Sequence, residues 1–208
     1  MSPDHSAPEK IGLREKKKRK TRKTMQQQAM RLFKEQGYHE TTIEQIAEAS
    51  EISPSTFFRY FATKEALVMQ DEYDPMLIRN FMEQPSAMNP LQALRAAIHT
   101  GLSTLSEAEL ELVKLRMDLV FKVPELRAAS LKQINDSLAV IARIVADRQG
   151  LPRDDFGVLT FAGTVLGAIM AVQHHCTENP QAEFLKTLDS AFEQLEAGFP
   201  ELLKNSGV

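Results

Sequence analysis

Apolar residues along this chain recur at intervals of three and four, and the alternation of Val, Ile and Thr that marks strands is nearly absent. The pattern predicts an all-α fold of about nine helices. The first runs from about Leu13 into LFKEQGY, with Ala29, Leu32 and Phe33 on one apolar face and Gly37 as its C-terminal cap. In TTIEQIAEAS, Thr41 followed by Glu44 has the spacing of a capping box, and Ile43, Ile46 and Ala47 share a face of a two-turn helix. Ser53 and Pro54 are an N-cap and a first helical residue for a third short helix. A fourth opens at Thr63 and continues through VMQDEYDPMLIRNFM, with Pro75 expected to kink or divide it.

Longer helices are expected over about 90–105, 107–122, 124–149, 153–178 and 181–204, separated by Pro and Gly signals. The segment from Phe156 to Val172 is apolar nearly all round. Such a helix must be buried on every side, and in a chain this small a second subunit can supply part of the cover.

Composition narrows the class. The chain has 208 residues, 43% of them hydrophobic, enough for a sizeable core. Its single cysteine, Cys176, excludes an intrachain disulfide or a Cys-rich metal framework and suits a reducing compartment. No uninterrupted apolar run approaches a membrane span and the N-terminus is charged, so the expectation is a soluble, cytoplasmic protein without a membrane partner.

The net charge of -3 conceals an asymmetry: Glu9 to Lys23 holds nine bases against two acids, a run that can neutralise phosphates or can be a solvated terminus. Four aromatic residues, Phe57, Phe58, Tyr60 and Phe61, crowd five positions directly after the Ser-Pro start. A core helix would space them, so some of these rings face something other than the interior.

Two short helices joined by a tight turn, the second opening Ser-Pro, form a helix-turn-helix, a motif that lays its second helix in the DNA major groove. TTIEQIAEASEISPSTFFRYFATKEAL, preceded by AMRLFKEQGY, resembles the DNA-binding domain of TetR-family transcriptional regulators over roughly Thr24 to Val68. The resemblance implies a basic arm over 1–22, a DNA-binding domain over 23–68 and a ligand-binding and dimerisation domain over 69–208.

It places Phe57 and Phe61 inward with Leu32, Phe33, Ile43, Ile46 and Ile52. Facing DNA it sets Ser55, Thr56, Phe58, Arg59 and Tyr60 behind the Ser53-Pro54 start, with Thr42 and Lys64 clamping the backbone and Lys18 and Arg22 in the arm. Thr56 and Arg59 suit base edges or phosphate and Tyr60 suits phosphate; Phe58 stands where the family usually has Tyr, so a thymine methyl or sugar contact fits it better.

For the larger part, the resemblance implies a homodimer through the last two helices. Gly163, Gly167 and His174 lie on one of them, and Phe184, Leu188, Phe192 and Leu195 form a stripe on the other that serves equally well as internal core. It implies a small-molecule pocket whose candidates are Met76, Leu77, Phe81, Leu112, Leu115, Arg116, Leu119, Phe121, Phe161, Val165 and Met170. Arg116, a cation within LVKLRMDLVF, suits an anionic ligand or pairs with a neighbouring acid. The segment RMDLVFKVPELRA resembles an actinobacterial C-terminal type associated in part with acyl-CoA-like ligands.

The expected function is a DNA-binding regulator, a repressor released from operator DNA by a small molecule; an activator and a helical protein-binding adaptor are the alternatives. No cofactor is expected. His174-His175-Cys176 cannot converge on one metal ion from consecutive helical positions, and no phosphate loop, nucleophile elbow or acid/base pair supports an enzyme.

Overall fold

The computed structural model describes residues 12–70 and 73–200, and the chain separates between Leu67 and Val68 into two compact units. Ten helices and no strand occur among the described residues. The N-terminal unit holds α1 (Leu13–Gln36), α2 (Ile43–Ala49), α3 (Pro54–Tyr60) and the first turn of α4 (Lys64–Met69). Its core is Met25, Ala29, Phe33, Ile46, Ala47, Phe57, Phe61 and Leu67, all buried. Phe57 and Phe61 lie one turn apart with ring centroids 5.9 Å apart, and α2 packs on both α1 and α3. Leu32, Ile43 and Ile52 are half-buried around this centre.

Two details differ from the sequence pattern. The capping box at α2 is Thr42 with Gln45: the Thr42 hydroxyl accepts from the Gln45 N–H (3.2 Å), and the Gln45 amide oxygen accepts from the Thr42 N–H (2.9 Å). Thr41 is buried, its hydroxyl donating to the Gly37 carbonyl (2.8 Å), so it cannot cap. The basic run does not precede the first helix as an arm; from Arg14 onward it forms the exposed early turns of α1, and residues 1–11 lie outside the described residues.

The larger unit contains α5 (Tyr73–Met82), α6 (Pro90–Ser103), α7 (Glu107–Lys122), α8 (Pro124–Gln149), α9 (Phe156–Glu178) and α10 (Phe184–Ala197). The expected fourth helix is divided rather than kinked. α4 ends at Met69, and Pro75 is the third residue of α5, in the first turn where a missing N–H costs nothing. The other boundaries follow local chemistry. Asn89 caps α6, Ser106 and Glu109 form a capping box on α7, Gly150 takes the left-handed conformation (φ 67°) that ends α8, and Asp155 caps α9.

The 26-residue α8 is the spine, packed by α5, α7 and α9, while α10 packs on α9 and α6. Phe81, Leu94, Ala97, Ile144, Val158, Val165, Leu188 and Phe192 are the centre of the core. Leu188 and Phe192 are therefore internal rather than dimer residues, and Phe184 and Leu195 are half-buried against the same core. Two polar ties fix this packing. The Arg148 guanidinium donates to the carbonyls of Phe81, Gln84, Pro85 and Met88, closing the end of α5 and the turn after it onto α8. Across α6 and α10, Arg95 donates to Asp189 (2.6 Å) and His99 Nε2 lies 2.7 Å from the same oxygen.

α9 is apolar on all sides yet buried on one only, through Val158, Ala162, Val165 and Val172. It is 23 residues long, and an 18-residue window within it has a mean hydropathy of 1.8, the length and composition of a membrane span, which the uninterrupted-run criterion overlooked. Packing on α7, α8 and α10 gives it the place of a core helix with one uncovered face.

Two measurements check these assignments. Phe57→Ala should cost the N-terminal unit about 3–5 kcal/mol and abolish its thermal transition, whereas the adjacent Phe58→Ala should stay within about 0.5 kcal/mol. The hydrogen bond from Arg95, joined by His99, holds the Asp189 carboxyl below its ordinary value of 3.8 against the opposing effect of burial. A depressed carboxylate gives stability that is complete above 3.8 and lost as pH falls through the lower folded value. Asp189→Asn should thus lower the urea midpoint at pH 7, with the gap from wild type narrowing as pH falls below 3.8.

Candidate nucleic-acid interface and ligand cavity

The outward face of α3 is set by its first turn. The Ser53 hydroxyl accepts from the Thr56 N–H (3.2 Å) and lies 2.9 Å and 3.0 Å from the hydroxyls of Ser55 and Thr56. With Pro54 at the first position, this fixes where the helix starts and which side chains point away from Phe57. Ser55, Phe58 and Arg59 are exposed, Thr56 and Tyr60 half-buried, and the Phe58 ring, 54% exposed, rests edge-on against Phe57 at 5.6 Å. The Arg59 guanidinium lies 5.6 Å from the Tyr60 ring centroid, which directs it along the helix surface. Thr42 is exposed, while the turn before α3 places Glu51 at φ 56°.

Arg22 and Lys64 are committed differently from what the sequence suggested. Arg22 is half-buried with its guanidinium 4.7 Å from the Phe61 ring centroid, so part of it covers the core; Lys18 is exposed. Lys64 donates to the carbonyls of Tyr38 (2.7 Å) and Thr41 (2.9 Å) and sits 4.1 Å from the Tyr38 ring centroid. Its ammonium ties α4 to the α1–α2 turn instead of lying open for a phosphate. The Tyr38 hydroxyl donates to Glu65 (3.0 Å) beside it. Burial alone would raise the Glu65 carboxyl, but its own backbone N–H, Thr63, Tyr38 and the Lys64 charge together hold it below its ordinary value.

In the larger unit a cavity of about 520 Å³ follows α8 from Arg127 to Ile141. Fourteen residues of helix rise make that about 21 Å. Apolar walls come from Val68 and Met69, from Met76 and Leu77 on α5, Ile98 on α6, Met117 and Val120 on α7, and Leu166 and Met170 on α9. Polar groups are few: Arg116, Arg127, Ser130, Gln133, Ser137 and Gln173. Arg127 is held by donating Nε and Nη2 to the Phe121 carbonyl (3.1 and 2.5 Å). Both arginines belong to the turns nearest the α7–α8 connection, whereas Ala97, Val140 and Ile141 line the far end. No α7 residue is fully buried despite its Leu, Val, Met and Phe content, because its inner face meets this space rather than a packed core.

Comparison with known proteins places both units. The family model for bacterial regulatory proteins of the TetR family matches residues 27–70, and that for the MftR C-terminal domain matches 88–200. The HTH-type transcriptional regulator TcmR of Streptomyces glaucescens is 40% identical over 157 residues, 72% of this chain and 70% of that protein. This chain belongs to the TetR family. MftR of Mycobacterium tuberculosis, named as a regulator of mycofactocin biosynthesis, is 30% identical over 84% of this chain and 88% of that protein. Among solved structures, FadR of Thermus thermophilus, a TetR-family repressor in complex with lauroyl-CoA, superposes with a TM-score of 0.55 at 25% identity, covering 85% of this chain and 94% of that one.

TetR-family regulators bind operator DNA, dimerise and take up small effectors. In this member, Met76, Leu77, Arg116, Phe121 and Met170 line the cavity as the sequence suggested. Phe81 does not: it is wholly buried in the core beneath Arg148. Leu112, Leu115 and Leu119 lie on other faces of α7, and Phe161 and Val165 border a separate groove of about 460 Å³ beside α10. The α8 wall was missed altogether. Its signal was available, since Arg127, Ser130 or Leu131, Ile134, Ser137 and Ile141 recur every three or four residues with small polar groups among the apolar ones. Among the described residues no three His, Cys, Asp or Glu side chains are placed to hold a metal; His174 faces the Phe121 ring and His175 contacts Asn179.

Proposed function

We propose that this TetR-family regulator is a cytoplasmic homodimeric repressor. It reads operator DNA with α3 and leaves it when an amphiphile with a long apolar chain and an anionic head, of the acyl-thioester class, fills the α8 cavity. The carrying observation is the cavity's polarity: an apolar channel with two arginines near one end. Apolar walls with a few convergent polar groups are the make-up of a ligand site rather than of loose packing. FadR, with lauroyl-CoA bound, supplies the chemical precedent.

On the DNA side, Ser55, Thr56, Phe58, Arg59 and Tyr60 read the groove while Thr42 and Lys18 approach phosphates; Arg59 is the base-reading or phosphate-pairing cation. Dimerisation uses the uncovered α9 face, where Gly163, Gly167 and His174 are exposed. The two ends of α4 suit a transmitting role. Lys64 and Glu65 are bonded to the α1–α2 turn, and Val68 and Met69 line the cavity, so a ligand that displaces the last turn alters the frame holding α3.

Fluorescence anisotropy on the DNA upstream of the protein's own gene tests both halves. Arg59→Ala should weaken specific binding by about 10- to 100-fold with the fold intact, and replacing Lys16, Lys17 and Lys18 by Gln should lower the salt slope by about 2. An unchanged slope would remove the basic turns of α1 from the interface. Lauroyl-CoA should release wild-type protein, Arg116→Leu should need about 10- to 100-fold more, and Ser137→Trp, which fills the channel, should bind operator but resist release. Equal response of all three proteins would contradict the cavity as effector site.

A further inference from the structure

Gly101 is buried in α6 and borders the cavity without a side chain. A glycine inside a helix destabilises it relative to alanine, so the missing side chain answers to something outside the helix. What it makes room for is Met76 on α5. A Cβ added at Gly101 would meet the Met76 Cε at 3.1 Å, tighter than ordinary contact, and the Asn80 Nδ2 at 3.4 Å. The thioether methyl therefore sits in the notch that Gly101 leaves. Its seat is loose on one side and firm on the other. The Thr104 hydroxyl donates to the Gly101 carbonyl (2.7 Å) and stands 4.0 Å from the Met76 Sδ, whereas Asn80, 6% exposed, donates to the Ala97 carbonyl (3.4 Å) and backs the notch.

Ala97 lies one turn before Gly101 on α6, and with Val140 and Ile141 of α8 it lines the end of the cavity away from Arg127. We infer that Met76 is the stop that sets how long a chain the cavity accepts, its thioether closing this end and yielding only as far as the Gly101 notch permits. The inference rests on the cavity reading given above and adds the residue that sorts one chain length from another. The neighbouring wall cannot take that role. Ala97 offers a single methyl and Ile141 is β-branched and stiff, and both are buried in the core. Met76, unbranched and half-buried, can adjust without disturbing its helix. An apolar chain held by its anionic head near the arginines gains cover with each methylene until its tip reaches the stop, and gains nothing beyond it.

Isothermal titration of the full chain with saturated acyl-CoAs of increasing length gives the test. For the wild type, affinity should rise about fourfold per added methylene up to a break and then level off. Met76→Ala should move the break to chains about two carbons longer and bind the first of these about tenfold more tightly than the wild type does. Gly101→Ala, which drives the thioether methyl out of its notch and into the channel, should move the break about one carbon shorter. Added to Met76→Ala it should shorten nothing, because no thioether is left to displace. Met170→Ala, which thins the α9 wall instead of the end, should leave the break in place. Chains well short of the break should bind Met76→Ala and Gly101→Ala as they bind the wild type, which also shows that both variants fold. If the break coincides in the wild type, Met76→Ala and Gly101→Ala, or moves as far in Met170→Ala as in Met76→Ala, the stop is wrong and the cavity reading stands. If the wild type binds no acyl-CoA of any length, both readings fail.

Discussion

The larger unit depends on one packing constraint: α7 and α8 are joined by a single residue, Val123, yet α7 never closes onto a filled core. Two long helices so tightly linked would ordinarily interdigitate along their shared length. Here α8 turns a face of small and polar residues, Ser130, Gln133 and Ser137, toward α7, and α7 answers with Arg116 among Val113, Met117 and Val120. The space between them persists as the cavity. What keeps it open is rigidity elsewhere. Buried Ile141, Ile144 and Val145 anchor the second half of α8, and Arg148 secures the end of α5 to it by four carbonyls.

The same economy governs α4. A six-residue helix has little stability of its own, so its position is dictated by what holds its ends. Lys64 supplies that hold at the N-terminal end, spending its charge on two carbonyls and an aromatic face, and the cavity supplies the other boundary through Val68 and Met69. A proposed effector therefore acts on an element fixed on one side and bordered by replaceable volume on the other.

What could be read from the sequence was whatever local chemistry decides. Ser53-Pro54 starts α3 and the one-turn spacing of Phe57 and Phe61 turns them inward, leaving Phe58 outside, because caps and helical periodicity act within a few residues. The error at α2 was a contest between two adjacent threonines with similar spacing, resolved by a bond from Thr41 to Gly37 that belongs to the preceding turn. Faces of long helices were harder. α7 offers Leu112, Leu115 and Leu119 on one side and Val113, Met117 and Val120 on another, and only tertiary packing decides which meets a cavity. Likewise Leu188 and Phe192 make a stripe that fits a core or an interface equally well, and the core took it. The uncovered side of α9 was foreseen in principle, since its composition demanded more cover than one protomer supplies.

The central claim is that the space under α7 is a ligand site rather than a loosely packed core, and amide hydrogen exchange tests it most directly. In the free protein the amides of α7, residues 107–122, should exchange orders of magnitude faster than those of Ile141 to Ala146 on α8. Saturating long-chain acyl-CoA should slow α7 and the outer turns of α8 while leaving Ile141 to Ala146 unchanged. Protection of α7 equal to that of the buried α8 turns in the free protein, with no change on adding the acyl thioester, would contradict the account.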